Sequence, residues 1–248
     1  MATSYKNIPV SVSGQTILAN NVSLDQNISI TPVRALGKSN GLPIQNEPPQ
    51  TTIALDFYIQ EQAAYTVFTN MKNGDGEFDV VVGGTTLNGC LLSSLSIAAQ
   101  SNQVITASAN MFTRQAPALT AGSSSSFGAA ELAHGATSTG AVASNSEGFS
   151  FNYEMSKEYT NTPVLGRFSP GEYTFSAGTE SISMEGSDLP TAAGTGACTS
   201  DVTAGINIKG ICDTDYGTLN VTGAVTAANV SVSEGDVVRG TTTITSYF

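Results

Sequence analysis

The sequence GCLLSSLSIAAQSNQVITASANMF, residues 89–112, determines the fold class that we predict. Apolar and polar residues alternate along both of its limbs, which are separated by a polar corner at residues 100–103. An alternation with a period of two predicts a half-buried β-strand. Two such limbs on either side of a short polar corner predict a β-hairpin. We therefore interpret the rest of the chain around this hairpin.

A second hairpin of the same kind ends the chain. Its limbs run over residues 219–232 and 237–247, with a polar turn at residues 233–236. The Thr-Pro-Val triplet at residues 31–33 recurs at residues 162–164, and this offset of about 130 residues is close to the offset between the two hairpins. A repeated offset predicts a tandem duplication.

One segment has the periodicity of a helix. Its apolar residues recur at three- and four-residue spacing, at Ile59, Ala63, Val67, Phe68 and Met71. Residues 72–74, Lys-Asn-Gly, supply a basic last turn and a glycine stop. One amphipathic helix beside many strands predicts a mainly β protein of the α+β class.

Composition divides the chain into three parts. Residues 116–147 are rich in Ala, Gly and Ser, which is typical of a linker, with at most one short helical turn at residues 129–133. We therefore predict a first β domain with one helix at residues 1–115, a linker at residues 116–147, and a second, diverged β domain at residues 148–248. Residues 189–196 predict a loop where the first domain has its helix.

Charge limits the kinds of partner. The 248 residues include 20 acidic and 9 basic side chains, a formal net charge of −11, so no basic face is expected to bind phosphates. Tight nucleic-acid binding is disfavoured, whereas a polyanion could slide past such a surface.

No stretch approaches the roughly 20 apolar residues of a membrane span. The first residues lack a signal-peptide pattern, so we expect synthesis in a cytoplasm.

The residue types of catalytic and metal sites are sparse. His134 is the one histidine and lies in the predicted linker, where no carboxylate or thiol is near it in sequence. Residues 73–79 and 213–217 are acidic and glycine-rich, but they lack the calcium-loop pattern and predict turns. Cys90, Cys198 and Cys212 form no C-x-x-C pair, which favours reduced thiols, with a Cys198 to Cys212 bridge as the local alternative. We expect no enzyme, cofactor or metal.

The order of these elements resembles a known family. A domain that begins with strands, extends a long polar loop, returns through a strand to one flanking helix and ends in the hairpin of residues 89–112 is similar to the tail tube proteins of tailed bacteriophages. The resemblance covers residues 5–115 and, less closely, residues 148–248. It implies two tandem tail-tube-like β-sandwich or barrel-forming domains and a structural protein of the virion tail, made in the host cytoplasm.

The resemblance also implies partners and contact residues. The chain would pair with itself in stacked rings, either trimers with pseudo-sixfold symmetry or hexamers, would contact other tail proteins, and would let DNA pass through the lumen without specific binding. The two hairpins would build the barrel, and residues 34–50 and 164–172 would reach the next ring. The implied inter-subunit residues are Arg34, Lys38, Arg167, Leu91, Leu95, Ile97, Ile105, Val230 and Val232.

Two other functions stay open at this stage. A baseplate, tail terminator or capsid-decoration protein would use the same kind of domain in a single ring or cap. A β-sandwich that binds carbohydrate, or an adhesin module, belongs to another class. Aromatic platforms are expected for binding sugars, and the chain has no Trp, which disfavours this last reading.

Overall fold

The computed structural model describes twelve parts of the chain, which together contain fourteen strands and one helix. These parts are residues 9–34, 36, 42–45, 49–74, 76–100, 103–114, 132–140, 148–162, 172–186, 201–210, 214–232 and 239–248. The elements are β1 (Val10–Val12), β2 (Gln15–Asn27), β3 (Ile30–Val33), β4 (Leu42–Gln45), β5 (Gln50–Tyr58), α1 (Gln62–Thr69), β6 (Phe78–Val82), β7 (Thr85–Gln100), β8 (Thr106–Thr113), β9 (Ala133–Gly140), β10 (Gly148–Thr162), β11 (Glu172–Gly186), β12 (Val202–Gly210), β13 (Asp215–Ser231) and β14 (Arg239–Tyr247).

Six strands of the first half close into a barrel. Their order is β6-β1-β2-β5-β8-β7, and β6 also pairs with β7, which completes the ring of strands. The hairpin of residues 89–112 supplies two barrel strands, because its alternating apolar residues face the core. The predicted class, mainly β with one helix, is confirmed.

The strands of the second half continue the same sheet. From β7 the order runs β10-β11-β14-β13-β12-β9, so one antiparallel sheet contains twelve strands. The order β2-β5-β8-β7 in the first half corresponds to β10-β11-β14-β13 in the second. Each half therefore presents its first strand, its second strand and then its closing hairpin in the same arrangement. We call each set of four strands a repeat.

The register of the closing hairpin is the same in both repeats. Leu92 pairs with Met111 beside a bulge in β7. Val225 pairs with Ile244 beside a bulge in β13. The second pair follows the first by 133 residues on both strands (92 to 225 and 111 to 244). The two hairpins therefore have equal lengths and equally placed bulges, as a tandem duplication predicts.

The other paired strands repeat in the same way. Asn21 pairs with Asp56, and Ser150 pairs with Glu185, each beside a bulge in the first strand. The displacement between these pairs is 129 residues on both strands (21 to 150 and 56 to 185). The ladder between β5 and β8 corresponds to the ladder between β11 and β14 with the same two displacements.

The helix is confirmed, but its predicted apolar stripe is partly wrong. Tyr65 and Phe68 are buried, as is Ala64, whereas Ala63 is exposed. Ile59 lies before the helix, where its backbone N–H donates to Ile105 O. Sheet pairing therefore keeps the start of the predicted segment extended, and the helix begins three residues later, at Gln62.

One hydrophobic core runs through both halves. The hydroxyl of Tyr65 in α1 donates to Tyr216 O in β13 at 3.1 Å, and Lys157 Nζ in β10 donates to Gly74 O, after the helix, at 2.6 Å. The helix is thus held by strands of the second half as well as by the barrel. Residues 133–140, which fall within the predicted linker, form strand β9. The division into two domains stays a prediction, and the predicted loop at residues 189–196 lies outside the described residues.

Candidate functional site

The candidate functional surface is one face of the eight-strand sheet formed by the two repeats. Residues that are paired directly across strands lie on the same face. One such row crosses the strands in register, and its neighbours at two-residue spacing share its face. The row contains Asn21, Asp56, Ser108, Ser96, Glu154, Ser181, Thr245 and Ala224. We call this face the polar sheet face.

The opposite face packs on the core. The row of apolar residues next to it contains Phe57, Ala107, Ile97, Tyr153, Ile182, Ile244 and Val225, and all but the last are buried. The alternation seen in the sequence therefore separates the sheet into an apolar face and a face of hydroxyls, amides and carboxylates.

Side chains on the polar sheet face hydrogen-bond to one another, both across strands and along one strand. Ser108 Oγ donates to Asp56 Oδ1 at 2.5 Å, and Asn21 Nδ2 donates to Asp56 Oδ2 at 3.2 Å. Asn152 Nδ2 donates to Glu154 Oε1 at 2.7 Å. These bonds satisfy hydrogen-bonding groups within the face, so fewer donors remain to bind a ligand.

The charge on this face is acidic. It carries Asp25, Asp56, Glu154 and Glu185, and the guanidinium of Arg239 on β14 is 3.3 Å from Glu185 Oε1. A phosphate needs unpaired Lys or Arg to release its counterions. A polyanion is therefore repelled by this surface and not retained on it.

A shallow groove of about 280 Å³ lies on the polar sheet face where the two repeats meet. It is lined by Ser94, Leu95, Ser96, Ser108, Asn110, Glu154, Met155, Ser156, Thr179 and Ser181. The lining includes neither an aromatic ring nor a cation. Stacking of a sugar and pairing of a phosphate therefore have no support at this groove.

Strands β3 and β4 form a separate two-stranded ribbon beyond the end of β2. Pro32 is paired with Pro43. A hydrogen-bonded pair would exchange two N–H groups, which proline lacks, so both proline nitrogens face the outer edges of the ribbon. This blocks the addition of another strand at that point. The ribbon can therefore contact a partner through side chains, since Ile30 in β3 is 57% exposed and Ile28, just before the ribbon, is 47% exposed.

A second long hairpin, β10 with β11, extends from the same end of the sheet. Strands β2 and β10 run in the same direction, because they are separated by three strands in an antiparallel order. Residues 157–162 pair with residues 172–178 beyond the segment of β10 that pairs with β7. The rings of Tyr159 and Tyr173 pack edge to face on Phe112, and the Arg114 guanidinium lies 3.7 Å from the Tyr173 ring centroid.

A buried polar cluster fastens the second repeat to the turn after the helix. Glu180 is 4% exposed and accepts from Tyr153 Oη at 2.7 Å and from Lys72 Nζ at 3.2 Å. Burial, with a further contribution from Glu180, raises the pKa of Tyr153. Lys157 is 5% exposed and donates to the carbonyls of Met71 and Gly74. Sequence reasoning missed this cluster, although Lys157 continues the alternation of buried residues in β10 and so carried a usable signal.

The predicted contact residues fall into three groups. Val230 and Val232, at the end of β13, are 51% and 69% exposed, so they are available to a partner. Arg34 is exposed and follows β3 directly. Lys38 and Arg167 lie outside the described residues.

Four of the predicted inter-subunit residues are buried within the chain, at 2% exposure or less. Leu95, Ile97 and Ile105 belong to the hydrophobic core. Leu91 is paired with Phe112 beside the bulge in β7 and lies outside that core cluster. A role of these four residues between subunits stays a prediction.

The structure also places several of the histidine, aspartate and cysteine residues considered in the sequence analysis as catalytic or metal-binding candidates. His134 lies on β9. The carboxylate of Asp215 accepts from Asn207 Nδ2 and Gly217 N, and these bonds lower its pKa. Cys90 is a buried free thiol whose pKa burial raises to about 12. Cys198, Cys212 and Asp75 lie outside the described residues. Within the described parts of the chain, no group of three or more His, Cys, Asp or Glu could hold a metal, and no helix has the length and apolarity to cross a membrane.

Two comparisons of the sequence with known proteins found no match. The chain matches no protein-family model, and no curated protein is significantly similar to it.

Proposed function

We propose that the chain is the tube subunit of a bacteriophage tail, which assembles into stacked rings around a channel through which DNA passes. The observation that carries this proposal is the polar sheet face. It extends over eight strands, its polar side chains bond to one another, and it carries four carboxylates, one of which is ion-paired with Arg239. Such a face suits the wall of a channel that must not retain DNA.

The two repeats support the ring. A chain with two copies of one four-strand sheet can form a ring with pseudo-sixfold symmetry from three chains. A contact that joins different surfaces of identical chains gives a ring when its rotation closes. Ring closure also removes exposed strand edges, which otherwise promote aggregation.

The β3–β4 ribbon and the β10–β11 hairpin support the stacking of rings. Both extend from the same end of the sheet, so in a ring every copy of them would point along the axis toward the next ring. The exposed Ile28 and Ile30 offer apolar area for that contact.

Negative-stain electron microscopy over a concentration series, with light scattering for mass, tests the proposal. We expect hollow rings that stack into tubes at high concentration. A monodisperse monomer at every concentration would contradict the proposal. Rings that never stack would contradict the tube and favour a baseplate, terminator or decoration protein.

A further inference from the structure

The junction between the two repeats inside the chain defines a contact that a second copy can repeat. Strand β10 pairs antiparallel with β7, with Tyr153 opposite Ile97 and Phe151 opposite Ala99. The side chains of Tyr153 and Ile97 are fully buried there. This ladder joins the last strand of one repeat to the first strand of the next.

The strands that correspond to these two are the outer strands of the eight-strand sheet. Strand β2 corresponds to β10, and β13 corresponds to β7, by the displacements of 129 and 133 residues. Residues 18–27 of β2 pair with β5 on one side, and residues 224–231 of β13 pair with β14 on one side. Neither of these segments has a strand on its other side among the described residues. Both edges are therefore open to pairing.

We propose that residues 227–232 of one copy pair antiparallel with residues 22–27 of a second copy, in the register of the junction inside the chain. The displacements place Val230 opposite Leu24, as Ile97 lies opposite Tyr153. They place Val232 opposite Val22. This inference rests on the proposed ring and specifies the contact that closes it.

The chemistry of the two edges fits this register. Val230 and Val232 are 51% and 69% exposed in the single chain, whereas Ile97 and Ala99, which correspond to them, are 0% and 8% exposed. Pairing with β2 would bring the exposed valines against apolar side chains, and burial of apolar area favours association.

The alternate residues of the two edges also fit. Ser23 falls opposite Ser231, and Asp25 falls opposite Asn229, so both pairs can hydrogen-bond across the strands. No like charges face each other in this register. A shift by one residue would place the valines opposite polar residues.

Disulfide trapping tests the register. The variant Ser23→Cys with Ser231→Cys, in a background of Cys198→Ser and Cys212→Ser, places thiols at directly opposed positions, whose spacing suits a disulfide. Mild oxidation should convert monomer into covalent oligomers on a non-reducing gel. If three chains close the ring, the ladder ends at the trimer.

Two variants in the same background serve as controls. Asn152→Cys with Ala98→Cys occupies the corresponding positions inside the chain and should form a bond within one chain. Ser23→Cys with Ala227→Cys is four residues out of register, about 13 Å away along the strand, and should remain monomeric on the gel.

The outcomes separate this inference from the proposed function. Tubes in the microscope without a Ser23→Cys to Ser231→Cys bond would overturn the inference and leave the function standing. Bonded closed rings that never stack would support the inference and contradict the tube. Equal trapping of the out-of-register pair, or a monomer under all conditions, would overturn the inference.

Discussion

Lys157→Met removes the charged contact that fastens the second repeat to the turn after the helix. The Lys157 ammonium donates to the carbonyls of Met71 and Gly74, and its side chain is 5% exposed. Methionine has a similar length and keeps the apolar part of the contact, but it cannot donate. The variant therefore keeps the packing of the stem and removes what the ammonium contributes, namely the two hydrogen bonds and its position 4.7 Å from the Phe175 ring centroid and 5.5 Å from that of Tyr159.

The expected cost follows from these two bonds. A hydrogen bond to a charged donor contributes about 1.5–3 kcal/mol. Part of this loss is offset because the buried ammonium no longer has to be desolvated, and because the carbonyls regain some water. We expect the free energy of unfolding to fall by about 2–4 kcal/mol.

Urea denaturation of the unassembled chain, with light scattering to verify the monomer, measures this change. With an m value of about 3 kcal/mol/M, the midpoint should fall by about 1 M. Arg34→Gln changes an exposed cation and should shift the free energy by under about 0.5 kcal/mol. A midpoint for Lys157→Met equal to that of Arg34→Gln would refute the claim that Lys157 holds the turn.

Three further predictions follow from packing, titration and exposure. Gly223→Ala should lower the free energy of unfolding by about 1–3 kcal/mol, because a Cβ there would lie 2.2 Å from a backbone oxygen of β14. The control is Gly74→Ala, whose Cβ would meet nothing within 4 Å. The urea midpoint should fall in Gly223→Ala and not in Gly74→Ala. Burial raises the pKa of Tyr65 from 10.0 to about 12, so its contribution to stability is complete below pH 10 and is lost as the pH rises toward about 12. The urea midpoint should fall over this window less steeply in Tyr65→Phe, and an unchanged slope would count against the assignment. Ile28→Ser with Ile30→Ser should leave rings intact and abolish their stacking in electron micrographs, and unaltered tubes would show that these residues do not join rings.

The strands could be predicted because their signal is local. In residues 89–112, the alternation of apolar and polar residues sets which side of each strand packs inward, and both limbs appear as strands with their expected faces. The helix was less predictable. Phe68 is buried as the spacing predicts, but Tyr65 is buried and Ala63 is not. The burial of Tyr65 depends on a contact that is distant in sequence, with Tyr216 in β13.

The candidate contact residues were also only partly predictable from the sequence. Val230 and Val232 are exposed, and their role as contact residues between subunits stays a prediction. Leu95 and Ile97 have the same apolar alternation, but β10 covers them within the chain. The sequence could not distinguish the valines of β13 from Leu95 and Ile97 of β7, because the two strands occupy corresponding places in the two repeats. They differ in that β10 pairs with β7, whereas no described strand pairs with that side of residues 224–231 in β13. Strand β4 lies within residues 34–50, which were predicted only as a loop, since prolines obscure the strand signal there.

A cryo-electron microscopy reconstruction of the assembled particle tests the central claim most directly, because it shows which side of the sheet faces the axis. We predict a hollow ring in which the polar sheet face, with Asp56 and Glu154, lines the channel and helix α1 lies on the outer side. A closed ring with the polar sheet face outward, or an assembly without a channel, would contradict the account.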